Sequence, residues 1–92
     1  MIYLDFEGFV KEQPSLVGYK FKGHFKQIVM DPILKKICSE YKVEYLSFDD
    51  FCNFIVDLAV TNECPLVGYS NYEKDILEQS VEQDFNYFDI KK

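Results

Sequence analysis

Apolar and polar residues alternate at the start of the chain. Ile2, Leu4 and Phe6 fall on one side of the pattern; Tyr3, Asp5, Glu7 and Phe9 fall on the other. A period of two predicts a strand over 2–10, so both carboxylates leave the same face. Gln13-Pro14-Ser15 interrupts the run, and LVGYKF (16–21) predicts a second strand. Lys22-Gly23-His24 reads as a turn and FKQIVM (25–30) as a third strand. The short connections predict an antiparallel meander.

The period then changes to that of a helix. Asp31-Pro32 supplies an N-cap and a proline for the first turn, predicting a helix to about Tyr41 with Ile33, Leu34, Ile37 and Cys38 inward. Ser47, with Asp50 three residues on, caps the next helix. Phe48, Phe51, Cys52, Ile55, Leu58 and Ala59 recur at helical spacing until about Asn62. LVGY (66–69) predicts a strand after Pro65, and a third helix begins near Asn71 with Tyr72, Ile76, Leu77 and Ser80 or Val81 inward. FNYFDI (85–90) predicts a last strand. The expected order is β-β-β-α-α-β-α-β, an α/β class.

Length and composition bound what this pattern can be. Ninety-two residues make a single domain, 1–92, and 48% hydrophobic with 28% charged residues is a globular composition. No run of about 18 apolar residues exists, so no membrane span is expected. Asp5 and Glu7 also interrupt any apolar N-terminal leader. Cys38, Cys52 and Cys64 are odd in number and widely spaced, which fits neither a disulfide framework nor a zinc site. They read as small hydrophobes in a reducing compartment, so the expected location is cytoplasmic.

The net charge of −6 comes from 10 basic and 16 acidic residues, and every base is a lysine. A broad docking surface for duplex nucleic acid is therefore not expected. An acidic chain can still be an enzyme that holds cations between carboxylates and nucleic acid; otherwise the charge serves solubility. Lys20, Lys22 and Lys26 near Phe21 and Phe25 are the only candidates for a lysine–aromatic stripe, with a solvated hairpin as the other reading.

Candidate chemistry lies in two clusters. A central strand does not bury two like charges without compensation, and a hard divalent cation, Mg²⁺ or Mn²⁺, is one compensation for Asp5 and Glu7. The other possibility is an edge strand with one solvated face. In the second cluster, GYSNYEKDIL (68–77), a strand ends and a helix opens with Glu73 and Asp75 in its first turns. The helix dipole favours acids there. If the 66–69 strand lies beside the first strand, Glu73 or Asp75 could meet Asp5 and Glu7. Three convergent carboxylates could hold two cations suited to in-line phosphoryl displacement.

IYLDFEG resembles the first motif of the ribonuclease H-like DEDD 3′–5′ exonuclease superfamily, an Asp-x-Glu on the first strand. LVGYSNYEKDIL is similar to its second motif, an aromatic–acid pair followed by Leu, here Tyr72-Glu73 and Leu77. The nearest likeness is to predicted ribonuclease H-like nuclease domains with "YE" or "FE" at that point. The resemblance implies a mixed sheet of three antiparallel strands followed by parallel additions. It implies Asp5, Glu7 and Glu73 as metal ligands, with Asp75 as the competitor for the last role. The family's final Asp, on a C-terminal helix, has no match. FNYFDIKK resembles the strand after the second motif, so Asp89 is a poor substitute. The expectation is thus the N-terminal part of such a domain, lacking its last helix and motif.

The activity implied is that of a metal-dependent nuclease, a 3′–5′ exonuclease on single-stranded DNA or RNA using two metals. The alternative is a catalytically inactive remnant acting as a protein-interaction or regulatory module. A truncated sheet would also expose an edge, which predicts a homodimer.

Overall fold

A computed structural model describes residues 1–10, 13–69 and 71–90, the side chains of Phe9 and Val10 excepted. Five strands form one mixed sheet in the order β3-β2-β1-β4-β5. β1 (Ile2–Val10), β2 (Gln13–Phe21) and β3 (His24–Val29) are the expected antiparallel meander. β4 (Leu66–Gly68) adds in parallel to the other side of β1, and β5 (Tyr87–Asp89) adds in parallel to β4. β1 is therefore central. The placement of Phe9 beside the carboxylates lies outside the described side chains.

Local chemistry explains most boundaries. Lys22 and Gly23 both have positive φ, 52° and 79°, as a tight two-residue hairpin requires. β2 begins earlier than the Gln13-Pro14-Ser15 interruption suggests: Pro14 pairs with Phe9 and is buried, and the Ser15 hydroxyl donates to the Gly8 carbonyl. Gly8 itself sits at φ 64°, a conformation that suits glycine.

The core lies on one face of the sheet. Ile2, Leu4 and Phe6 of β1 join Val17 and Tyr19 of β2 beneath α2 (Phe48–Thr61). Phe51 is the hub: its ring lies 5.9 Å from Phe6 and 5.9 Å from Tyr19, with Phe54 at 6.3 Å. Ser47 caps α2, its Oγ accepting the Asp50 N–H at 3.1 Å, and Phe51, Cys52, Ile55, Val56 and Ala59 are buried along its inner stripe. α3 (Asn71–Ser80) packs beside α2 and contributes Ile76 and Leu77 to the same core.

The first helix departs from expectation. Asp31 caps as foreseen, its carboxylate accepting the Ile33 N–H at 3.0 Å, but Pro32–Leu34 forms a 3₁₀ turn before α1 (Lys35–Tyr41). The tighter turn changes the angular phase of the side chains. Only Cys38 of the expected face is buried, while Ile33 is 80% exposed. In α3 the phase also differs. Glu73, Ile76 and Leu77 are buried, Ser80 is partly so, and Tyr72 faces outward. Those four follow the i, i+3, i+4, i+7 rule, which places Tyr72 off the stripe.

β3 and β5 are the sheet edges. The end of β3 is covered by residues 44–46: Val29 N–H donates to Glu44 C=O at 3.0 Å, and Leu46 N–H to Val29 C=O at 3.1 Å. No described helix is long and apolar enough to cross a membrane.

Truncating the hub should be costly. Phe51→Ala is expected to destabilise the fold by about 3–5 kcal/mol, and Ser47→Ala by about 1 kcal/mol. Urea unfolding followed by circular dichroism measures both; a Phe51→Ala loss no larger than that of Ser47→Ala would contradict the hub.

Candidate functional site

Alternation along β1 gives its two faces different jobs. Ile2, Leu4 and Phe6 point into the core, so Tyr3, Asp5 and Glu7 point to the face opposite α2 and α3. Asp5 is half-buried and Glu7 is exposed. Their cross-strand partners on β2 are Gly18 and Leu16, neither of which can supply a counter-charge. The two carboxylates therefore answer mainly to each other. Glu7 is held above the ordinary carboxylate range by a side-chain hydrogen bond with Asp5 and by the Asp5 charge, with a smaller contribution from desolvation. The arrangement is a like-charged pair that gains from a shared proton or a cation.

Glu73 lies elsewhere. Val67 pairs with Tyr3 and follows the Tyr3 face; Gly68, the next residue, follows the Leu4 face. A side chain at Gly68 would stand 3.2 Å from Glu73 Oε1 and in contact with the Tyr87 hydroxyl. Glu73 is 6% exposed, and no buried side-chain polar atom of the described residues lacks a partner. Glu73 thus anchors α3 under β4 and β5, on the opposite side of the sheet from Asp5 and Glu7. Asp75 is exposed farther along α3. Asp89 pairs with Gly68 and belongs to the same side as Glu73.

The expected meeting of three carboxylates is therefore not present. No group of three or more His, Cys, Asp or Glu placed to hold a metal occurs among the described residues. The parallel placement of β4 beside β1 is as expected, but the helical phase of α3 turns Glu73 inward. Its spacing from Ile76, Leu77 and Ser80 carries that signal in the sequence. Ser70, part of the second motif, lies outside the described residues.

What remains on the open face is a groove. A cavity of about 440 Å³ is lined by Tyr3, Asp5, Gly18, Lys20, Phe25 and Tyr69, among others. The aromatic and lysine positions are separated in sequence and are legible only in part, through Lys20 and Phe25 among the candidates for a lysine–aromatic stripe; the structure pairs these two across β2 and β3. The thiols take no part: Cys38 and Cys52 are buried, and burial pushes the Cys52 thiol up to about 12, far from a thiolate at neutral pH.

No family model, no curated protein and no solved structure matches this chain.

Two substitutions probe the two carboxylate environments. Asp5→Ala removes both main causes of the Glu7 shift, so Glu7 should titrate lower than in the wild type. Carboxyl-carbon NMR titration measures this. The sign for stability follows: a carboxyl raised in the folded state stabilises while it holds its proton, and that contribution is lost as pH rises through its folded pKa. Gly68→Ala should cost about 1–3 kcal/mol by overpacking against Tyr87 and Glu73. Unchanged thermal unfolding would show that this contact yields freely.

Proposed function

We propose that the chain is a ribonuclease H-like domain whose open sheet face serves metal-dependent cleavage of single-stranded DNA or RNA, with Asp5 and Glu7 as the metal-holding pair. The observation that carries this reading is the pair of carboxylates, Asp5 and Glu7, side by side on one face of the central strand, without an ion-pair partner among the described residues. The sheet supports it as well, with an antiparallel meander followed by a strand added in parallel to the first.

Two neighbouring carboxylates suit one Mg²⁺ or Mn²⁺, a cation that keeps several waters and completes its shell with substrate phosphate. When bound, such a cation supplies charge neutralisation at the phosphate and an acidified water. The chain's own part is to hold the pair on a rigid central strand, with Asp5 set deeper than Glu7. Glu73 and Asp75 do not fit a second cation beside this pair. The 3′–5′ polarity and exonuclease action follow from the resemblance of the two motifs alone.

The inward position of Glu73 favours a second reading: a catalytically inactive relative that uses the open face to bind a protein partner. Dimerisation belongs to the same proposal. The outer side of β3 before Val29 is the edge on which a second chain could pair, and light scattering at increasing concentration would measure it.

Purified wild-type chain and Asp5→Ala should be incubated with end-labelled single-stranded DNA and RNA, with Mn²⁺ and with EDTA. Metal-dependent shortening that falls to background in Asp5→Ala is the expected outcome. Cleavage that survives in the variant or in EDTA would refute the assignment. In parallel, Mn²⁺ should broaden the Glu7 carboxyl resonance before distant ones; no selective broadening, with no cleavage, favours the interaction module.

A further inference from the structure

We infer that the groove over Gly18 is a stacking subsite for one base of a single-stranded nucleic acid, with Lys20 at its rim taking a phosphate. This deepens the nuclease reading and rests on it, because the subsite adjoins Asp5.

The register builds the subsite. Tyr3 pairs with Lys20, and Lys20 pairs with Phe25, so these three form one row across β1, β2 and β3 on the open face. Asp5, Gly18 and Gln27 form the next row. Glycine leaves a gap in that second row, and Phe25 leans into it. Its Cζ and Cε1 stand 3.0 and 3.1 Å from where a Gly18 Cβ would be. Tyr69, just past β4, closes the groove beyond Tyr3.

The rings are open to solvent. Tyr3 is 44% exposed, Tyr69 57% and Phe25 62%. Exposed aromatic rings around a cavity offer π-faces that any base can stack on. The charges select among planar or cationic ligands. An organic cation would suit the rings and Asp5, but Lys20 stands between Tyr3 and Phe25 and repels it. Lys20 has no ion pair among the described residues and is placed to meet an anionic phosphate. The net charge of −6 disfavours a long phosphate track, which favours a short contact of about one nucleotide over duplex docking.

The test reads binding in EDTA, so that it does not depend on cleavage. Fluorescence anisotropy with labelled oligo-dT, oligo-U and a duplex should show both single strands bound and the duplex at least about tenfold weaker. Phe25→Ala should weaken single-strand binding about tenfold. Gly18→Ala should do the same, because it fills the gap while keeping every ring. Phe25 is exposed enough to swing aside, and circular dichroism checks that both variants fold. Lys20→Ala should reduce the slope of log affinity against log salt by about 0.7. Wild-type affinity in Phe25→Ala and Gly18→Ala would overturn the subsite, as would undetectable single-strand binding or tighter binding of tetramethylammonium. Binding that responds to these variants without any cleavage leaves the subsite standing and removes the nuclease reading. Metal-dependent cleavage with unchanged affinity in the variants does the reverse.

Discussion

The seam between β1 and α2 is the constraint on which everything else in this molecule depends. Ile2, Leu4 and Phe6 must be covered, and the buried stripe of α2 joins them in one core, with Phe51, in the first turn of α2, in close ring contact with Phe6 and Tyr19. Once that face is committed, the pleat leaves no freedom for Tyr3, Asp5 and Glu7, which must emerge on the other side. α3 then has only the remainder of the covered face available, beside α2 and under β4. Both helices end up on one side of the sheet, and the opposite side keeps its carboxylates and aromatic rings.

This division sets the chemistry. Asp5 and Glu7 are near enough for Asp5 to raise the Glu7 pKa, and Gly18 and Leu16 across the strand offer no relief. The carboxylate most like them in sequence context, Glu73, is spent on structure, with its oxygen and the Tyr87 hydroxyl filling the space that Gly68 leaves. The second-motif likeness and the position of Glu73 thus point different ways. The proposed site consequently leans on two carboxylates and an aromatic groove, not on a ring of acids.

Features governed by neighbours in sequence were legible before the fold was known. The two-residue period of β1, the Lys22-Gly23 turn, the caps at Asp31 and Ser47, and the stripe of α2 all depend on local geometry. Features governed by docking were less so. A 3₁₀ first turn altered the phase of the segment after Asp31, leaving Ile33 and Ile37 exposed. For α3, Tyr72 looked like the apolar choice for the inner face, yet the stripe of Ile76, Leu77 and Ser80 continues through Glu73. Gly68, without a side chain, leaves the space in which the Glu73 carboxylate and the Tyr87 hydroxyl stand. The groove was still less visible, since its rows are assembled from three strands and the end of a fourth.

Separating fold from chemistry by the parity of one strand has an evolutionary consequence. Substitutions at Tyr3, Asp5 or Glu7 alter the exposed face without touching the packed one, so the chemistry this surface presents can change while the scaffold is inherited unchanged. An insertion or deletion of one residue between Ile2 and Glu7 does the opposite. It would carry carboxylates into the core and apolar side chains into water, ending both traits at once. The fold should therefore tolerate exchange of the letters at these odd positions far better than any change in the length of the segment that holds them.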